Sequence, residues 1–228
     1  MSLLVYVNYY YKHSIILPYT GFPEPVANKL RRAVYYTSLD FNPQKALKYY
    51  KQALQVAQEC GMDGFSGHVM GIKVEMGRLF EKDGKVGVAV QVLERVRDEL
   101  VEWMDEWGMG YEEGRKELLV DKDGETTKRW ETEAEWRKKR TTLLVMAVRA
   151  SCHLGNLYTD PRINDGEKAE ERLVWGVTAL LKERQRREDE GAKEGEEGWF
   201  RDDEVGAALE GILPHPQYSL GVNSIANA

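Results

Sequence analysis

Cys152 and His153 place a thiol beside an imidazole, the pairing in this sequence closest to nucleophilic chemistry. Such chemistry needs the base within hydrogen-bond reach of the sulfur. Adjacent residues on a helix point about 100° apart, so these two do not share a proton. His13, His68 and His215 are scattered, without metal-ligand spacing. Cys60 and Cys152 are the only cysteines and form no CxxC pattern; two isolated, buried thiols are expected. DKDGETTKRWET (121–132) has the acidic start of a calcium loop but lacks glycine at its sixth position and glutamate at its twelfth. It reads as a turn with capping aspartates. GMGYEEG (108–114) lacks the GK[ST] of a phosphate loop and follows a helical pattern rather than a strand. With no convergent acid–base set, the expectation is a protein that is not an enzyme and holds no metal or cofactor.

The elements behind these residues are helical. Of 228 residues, 42% are hydrophobic and 31% charged, enough for a core under a solvated surface. A net charge of −6 argues against nucleic acid as a partner. No run of about 20 apolar residues makes a complete membrane span, and no basic segment precedes the apolar N-terminus as in a signal peptide.

A repeat organises the middle of the chain. In MGRLFEKDGKVGVAVQVLERV (76–96), Gly77, Phe80, Gly84, Ala89, Leu93 and Val96 have the spacing of a tetratricopeptide repeat. Gly77 and Ala89 stand where two antiparallel helices approach most closely, and Asp83-Gly84 makes the turn. Ile72, Met76, Leu79 and Phe80 share one helical face. Upstream, Ala33 and Tyr36, then Ala46, Tyr50 and Ala53, repeat the pattern, with Asn42 as N-cap, Pro43 as first helical residue and Gly61 as stop. Downstream, Leu154-Gly155, Tyr158, Ala169, Leu173 and Gly176 repeat it again. The spacing predicts an all-α, tetratricopeptide-like α-α superhelix of about three hairpins with long helices, over 26–60, 67–107 and 132–184.

Such arrays bind extended or helical segments of other proteins in a groove lined by the first helix of each hairpin. The register puts Arg31, Arg78, Lys82, Arg149 and Asn156 in that groove, suited to an acidic or backbone-rich ligand. Trp103 and Trp107, four apart, and Trp130 and Trp136 read either as a packed helix seam or as a peptide-binding aromatic surface. KERQRREDEGAKEGEEGWFRDDE (182–204) reads as a charged linker, and 185–228 as linker plus atypical tail.

Two blocks, LPYTGFPEPVANKLRRAVYYT and NPQKALKYYKQAL, resemble the fungal tetratricopeptide adaptor subunit of the mitochondrial inner-membrane i-AAA protease complex. The resemblance covers about residues 15–184. It implies a repeat domain in the intermembrane space that passes unfolded or partly folded client proteins to i-AAA protease subunits. It also implies an N-terminal membrane helix. SLLVYVNYYYKH, within the N-terminal segment 1–25, then reads as the last turns of an anchor largely missing here, with tyrosines at the interface. The other reading packs it against the first hairpin. An assembly scaffold for a respiratory-chain complex is the alternative function.

Overall fold

The computed structural model describes residues 21–107 and 133–190. They form six helices in chain order: α1 (Glu24–Ser38), α2 (Pro43–Glu59), α3 (Gly67–Lys82), α4 (Val86–Trp107), α5 (Glu133–Tyr158) and α6 (Gly166–Glu190). No strand occurs among the described residues. The chain divides within α4 into two compact units, up to Val92 and from Leu93.

In the first unit, α1 packs on α2 and α2 on α3. Apolar residues recur at helical spacing: Val26, Leu30 and Ala33 on α1, Ala46, Tyr50, Ala53 and Ala57 on α2, Val69, Ile72 and Leu79 on α3. Their burial, at about 25 cal/mol per Å² of apolar surface, is what holds helices of this length together in water. Ala33 and Ala46 are fully buried, so neither adds bulk between α1 and α2. The ends follow local rules. The Asn42 Oδ1 accepts the Lys45 N–H at 3.0 Å, capping α2 behind Pro43. Ser66 caps α3 in the same way through Val69, at 3.2 Å. Gly61 and Gly84 adopt φ of 69° and 75°. The N–H groups of Met62 and Lys85 then reach back to the carbonyls of Ala57 and Phe80, both at 2.9 Å.

Contacts between elements fix direction. Arg32 meets Tyr49 while Tyr36 meets Lys45, so α1 and α2 are antiparallel. Phe22, just before α1, meets His68 at the start of α3, and Thr37 meets Lys82 at its end, so α1 and α3 are parallel.

The second unit repeats this arrangement. Glu94, Arg97 and Trp103 of α4 meet Tyr158, Ser151 and Lys139 of α5, so these helices are antiparallel. Arg172 and Trp175 of α6 meet Glu94 and Arg97 of α4, so α4 and α6 are parallel. Helix α5 packs against α6. At their crossing, a Cβ on Gly155 would stand 2.7 Å from Leu173 Cγ and 3.3 Å from the Ala169 carbonyl oxygen. Glycine is what permits this approach.

Two expectations need correction. Cys60 is exposed, because it sits at the C-cap of α2, past the last buried position. Cys152 is half-buried; both thiols are free. The hairpin read as ending at 184, with linker from 185, continues as helix to Glu190. Glu183, 4% exposed, explains the extension. Its carboxylate accepts from Arg140 on α5 at 2.7 Å, and from Arg186 at 2.8 and 3.1 Å and Arg187 at 3.1 Å on its own helix. Gln185 bonds Asp189 at 2.9 Å on the exposed side. The N-terminal apolar segment, residues 108–132 with Trp130, and the residues beyond 190 lie outside the described residues.

Candidate protein-binding surface

Arg31, Arg78 and Lys82 stand on α1 and α3, the parallel helices of the first unit. Lys82 joins the two: its ammonium donates to the Thr37 carbonyl at 2.6 Å, across 45 residues of sequence, and lies 5.2 Å from the Phe41 ring centroid. At that offset Arg31 stands level with Met76, within a turn of Arg78. Arg78 is exposed and paired with Glu75 at 2.8 Å. The Arg31 guanidinium runs along its own helix to Glu24, at 2.8 Å, and Asn28, at 2.9 Å. That bond to Arg31 holds the Glu24 carboxyl below its usual range. Of the five residues read from sequence, Lys82 thus bridges the helices, while Arg31 and Arg78 are engaged locally.

Arg149 and Asn156 belong to the second unit. Both are exposed on α5, seven residues apart on one face, or about 10 Å along the axis. The Asn156 carbonyl accepts the Thr159 hydroxyl at 2.8 Å.

Sequence reasoning missed Tyr35, Leu39 and Phe41, which are 46%, 73% and 44% exposed. They cluster at the end of α1 and in the turn to α2. The Asn42 N–H bonds the Tyr36 carbonyl at 2.8 Å and folds this turn back over the helix end. The available signal was LDFNP, a turn carrying two large apolar residues where polar ones are usual.

Of the tryptophans, Trp103 and Trp136 are buried, and the Lys139 ammonium lies 5.2 Å from the Trp103 ring centroid. For these two the packed seam holds; the Trp107 side chain lies outside the described residues.

Among the described residues, the titratable groups that are shifted move away from neutrality. Burial pushes the Cys152 thiol to about 11, so it stays protonated beside His153. Burial, then the bond to Glu94, raises Tyr158. Burial alone would raise Glu183, but Arg186 and Arg140 outweigh it and bring the carboxyl to about 2. The bond from Arg162 takes Asp160 to about 2. These are the directions of burial and structural ion pairing. No metal-ligand set of three His, Cys, Asp or Glu groups forms among the described residues.

Neither a family model nor a solved structure matches the chain. It is 34% identical over 67 residues to Protein MRG3-like of Saccharomyces cerevisiae. The match covers 28% of this chain and 14% of the yeast protein, so the chain spans a small part of that relative's length. None of the described helices is long and apolar enough to cross a membrane. The first unit offers two parallel helices bridged by Lys82, beside exposed aromatic and aliphatic side chains. Exposed apolar side chains mark interaction sites where they form a patch.

Proposed function

We propose that the chain is a tetratricopeptide-type binding module, serving as an adaptor that presents unfolded or partly folded proteins to the mitochondrial i-AAA protease. The observation that carries the binding part is the repetition of one arrangement in both units. In each, three helices described in turn alternate in direction and the outer two run parallel. Small residues are buried between them: Ala33 and Ala46 in the first unit, and in the second Gly155, which meets Leu173 and the Ala169 carbonyl. Stacked hairpins of this kind leave helix faces open for another chain. The protease assignment rests on the resemblance of the two sequence blocks around α1 and α2. It sets the repeat domain in the intermembrane space, at the inner membrane.

The test is photo-cross-linking in fungal mitochondria, with a photo-reactive residue in place of Arg78. Recovery of i-AAA protease subunits together with several short-lived proteins is the expected result. A single dominant respiratory-complex subunit would replace the adaptor with an assembly scaffold. A folded protein that cross-links to nothing would overturn the surface assignment.

A further inference from the structure

Around the end of α1 and its turn to α2, which itself holds the exposed Asp40, stand three cations that meet aromatic rings: Arg32 on α1, Lys45 on α2 and Lys82 on α3. The Arg32 guanidinium lies 5.7 Å from the Tyr49 centroid. The Lys45 ammonium lies 5.0 Å from Tyr36, and Lys82 lies 5.2 Å from Phe41. Tyr36 and Tyr49 stack with planes 3° apart at 5.7 Å, and Tyr35 meets Tyr36 edge-on at 5.2 Å. Among the described residues none of the three cations pairs with a carboxylate. This is unusual for its surroundings, since the chain has 38 acidic against 32 basic residues and Arg31 and Arg78 close by are both paired. Beside the rings stand the exposed Tyr35, Leu39 and Phe41.

From this we infer that the α1–α2 turn docks a partner segment carrying an aromatic or large aliphatic residue between acidic ones. The apolar residue covers Leu39, Phe41 and Tyr35. The flanking carboxylates reach Arg32, Lys45 and Lys82, whose positions are already held by ring contacts, so little side-chain entropy is lost on pairing. A basic segment is rejected by the same three charges. The inference rests on the protein-binding reading above but not on the protease link.

The test uses the full chain and a short fluorescein-labelled peptide with Trp-Leu between runs of Glu and Asp, followed by fluorescence anisotropy. Saturable binding is expected. Lys45→Glu with Lys82→Glu should weaken it roughly tenfold, since each reversed charge turns an exposed attraction into a repulsion. Leu39→Ser should weaken it too. A counterpart peptide with Lys and Arg in place of the acids should not bind. Lys82 also bonds the Thr37 carbonyl, so Arg32→Glu with Lys45→Glu serves if the first variant loses its helical signal. The inference is overturned if the acidic peptide does not bind, if the reversed variants bind it as tightly as the parent, or if the basic peptide binds equally. A chain that binds the peptide here but cross-links to no protease subunit keeps this surface and loses the adaptor assignment. The reverse result keeps the adaptor and loses this surface.

Discussion

At Gly155 the identity of one atom decides whether two helices can meet. An added Cβ would press on Leu173 Cγ at 2.7 Å and Cδ2 at 2.8 Å, and on the Ala169 carbonyl oxygen at 3.3 Å. The Leu173 side chain can rotate away; the Ala169 carbonyl belongs to the α6 backbone and can move only with the helix. Alanine gains about 1 kcal/mol over glycine in a helix interior, while overpacking costs about 1–3 kcal/mol. Gly155→Ala is therefore expected to lower stability by about 1 kcal/mol net, read from urea unfolding. Leu173→Ala in the same chain should recover part of the loss, as a positive coupling in a double-mutant cycle. Additive losses would mean that α5 and α6 do not touch through this pair. The small residue at this position was legible from spacing alone. The partner that makes it necessary was legible only as a register. The Cys60 expectation failed at the same scale: composition says thiols are usually buried, but a helix C-cap faces outward whatever residue occupies it.

The elements were read closely where they are amphipathic and punctuated. Asn42-Pro43 and Gly61 bracket α2 as the sequence predicts, because caps and stops act through neighbouring residues. The end of α6 is hidden in the sequence, because charged residues without apolar periodicity look like linker. What holds it is Arg140, 43 residues earlier on α5, pairing with Glu183, and no local pattern reveals that. The consequence is measurable. A chain ended at residue 184 lacks Arg186 and Arg187 and leaves Glu183 with Arg140; a chain ended at 190 keeps all three. The shorter chain should be less stable by about 2 kcal/mol at neutral pH, since an under-compensated buried charge is costly. The acid response separates this from simple loss of helix. The folded carboxyl is depressed to about 2, below the ordinary value near 4.3. Its stabilisation is present in full above about pH 4.3 and is lost as pH falls towards 2. The chain ended at 190 should lose stability through that window, and the chain ended at 184 should lose less of it. Parallel acid curves would show that the arginines do not hold Glu183.

Across the whole molecule, the helices were legible in the sequence but the patch at the α1–α2 turn was not, because cation–ring contacts join residues from different elements. Arg32 with Tyr49, and Lys82 with Phe41, have no periodic signature. That patch sets three cations against one exposed carboxylate, Asp40, on a chain whose net charge is −6, and the two fields act over different distances. At about 0.01 M salt the screening length is about 30 Å, so an acidic peptide feels the repulsion of the whole chain as it approaches. At about 0.1 M the length is about 10 Å, and the distant negative charge is screened while Arg32, Lys45 and Lys82 still act at contact. Near 1 M, at about 3 Å, the local attraction weakens as well. Affinity for the acidic peptide should therefore pass through a maximum at intermediate ionic strength, with a faster association rate on leaving low salt. A peptide with Gln and Asn replacing its acids feels neither field and should show no such maximum. A steady fall from the lowest salt upwards would mean that the local cations outweigh the net charge at every distance. A steady rise would mean that contact there is purely apolar and that the three cations serve only to hold the rings.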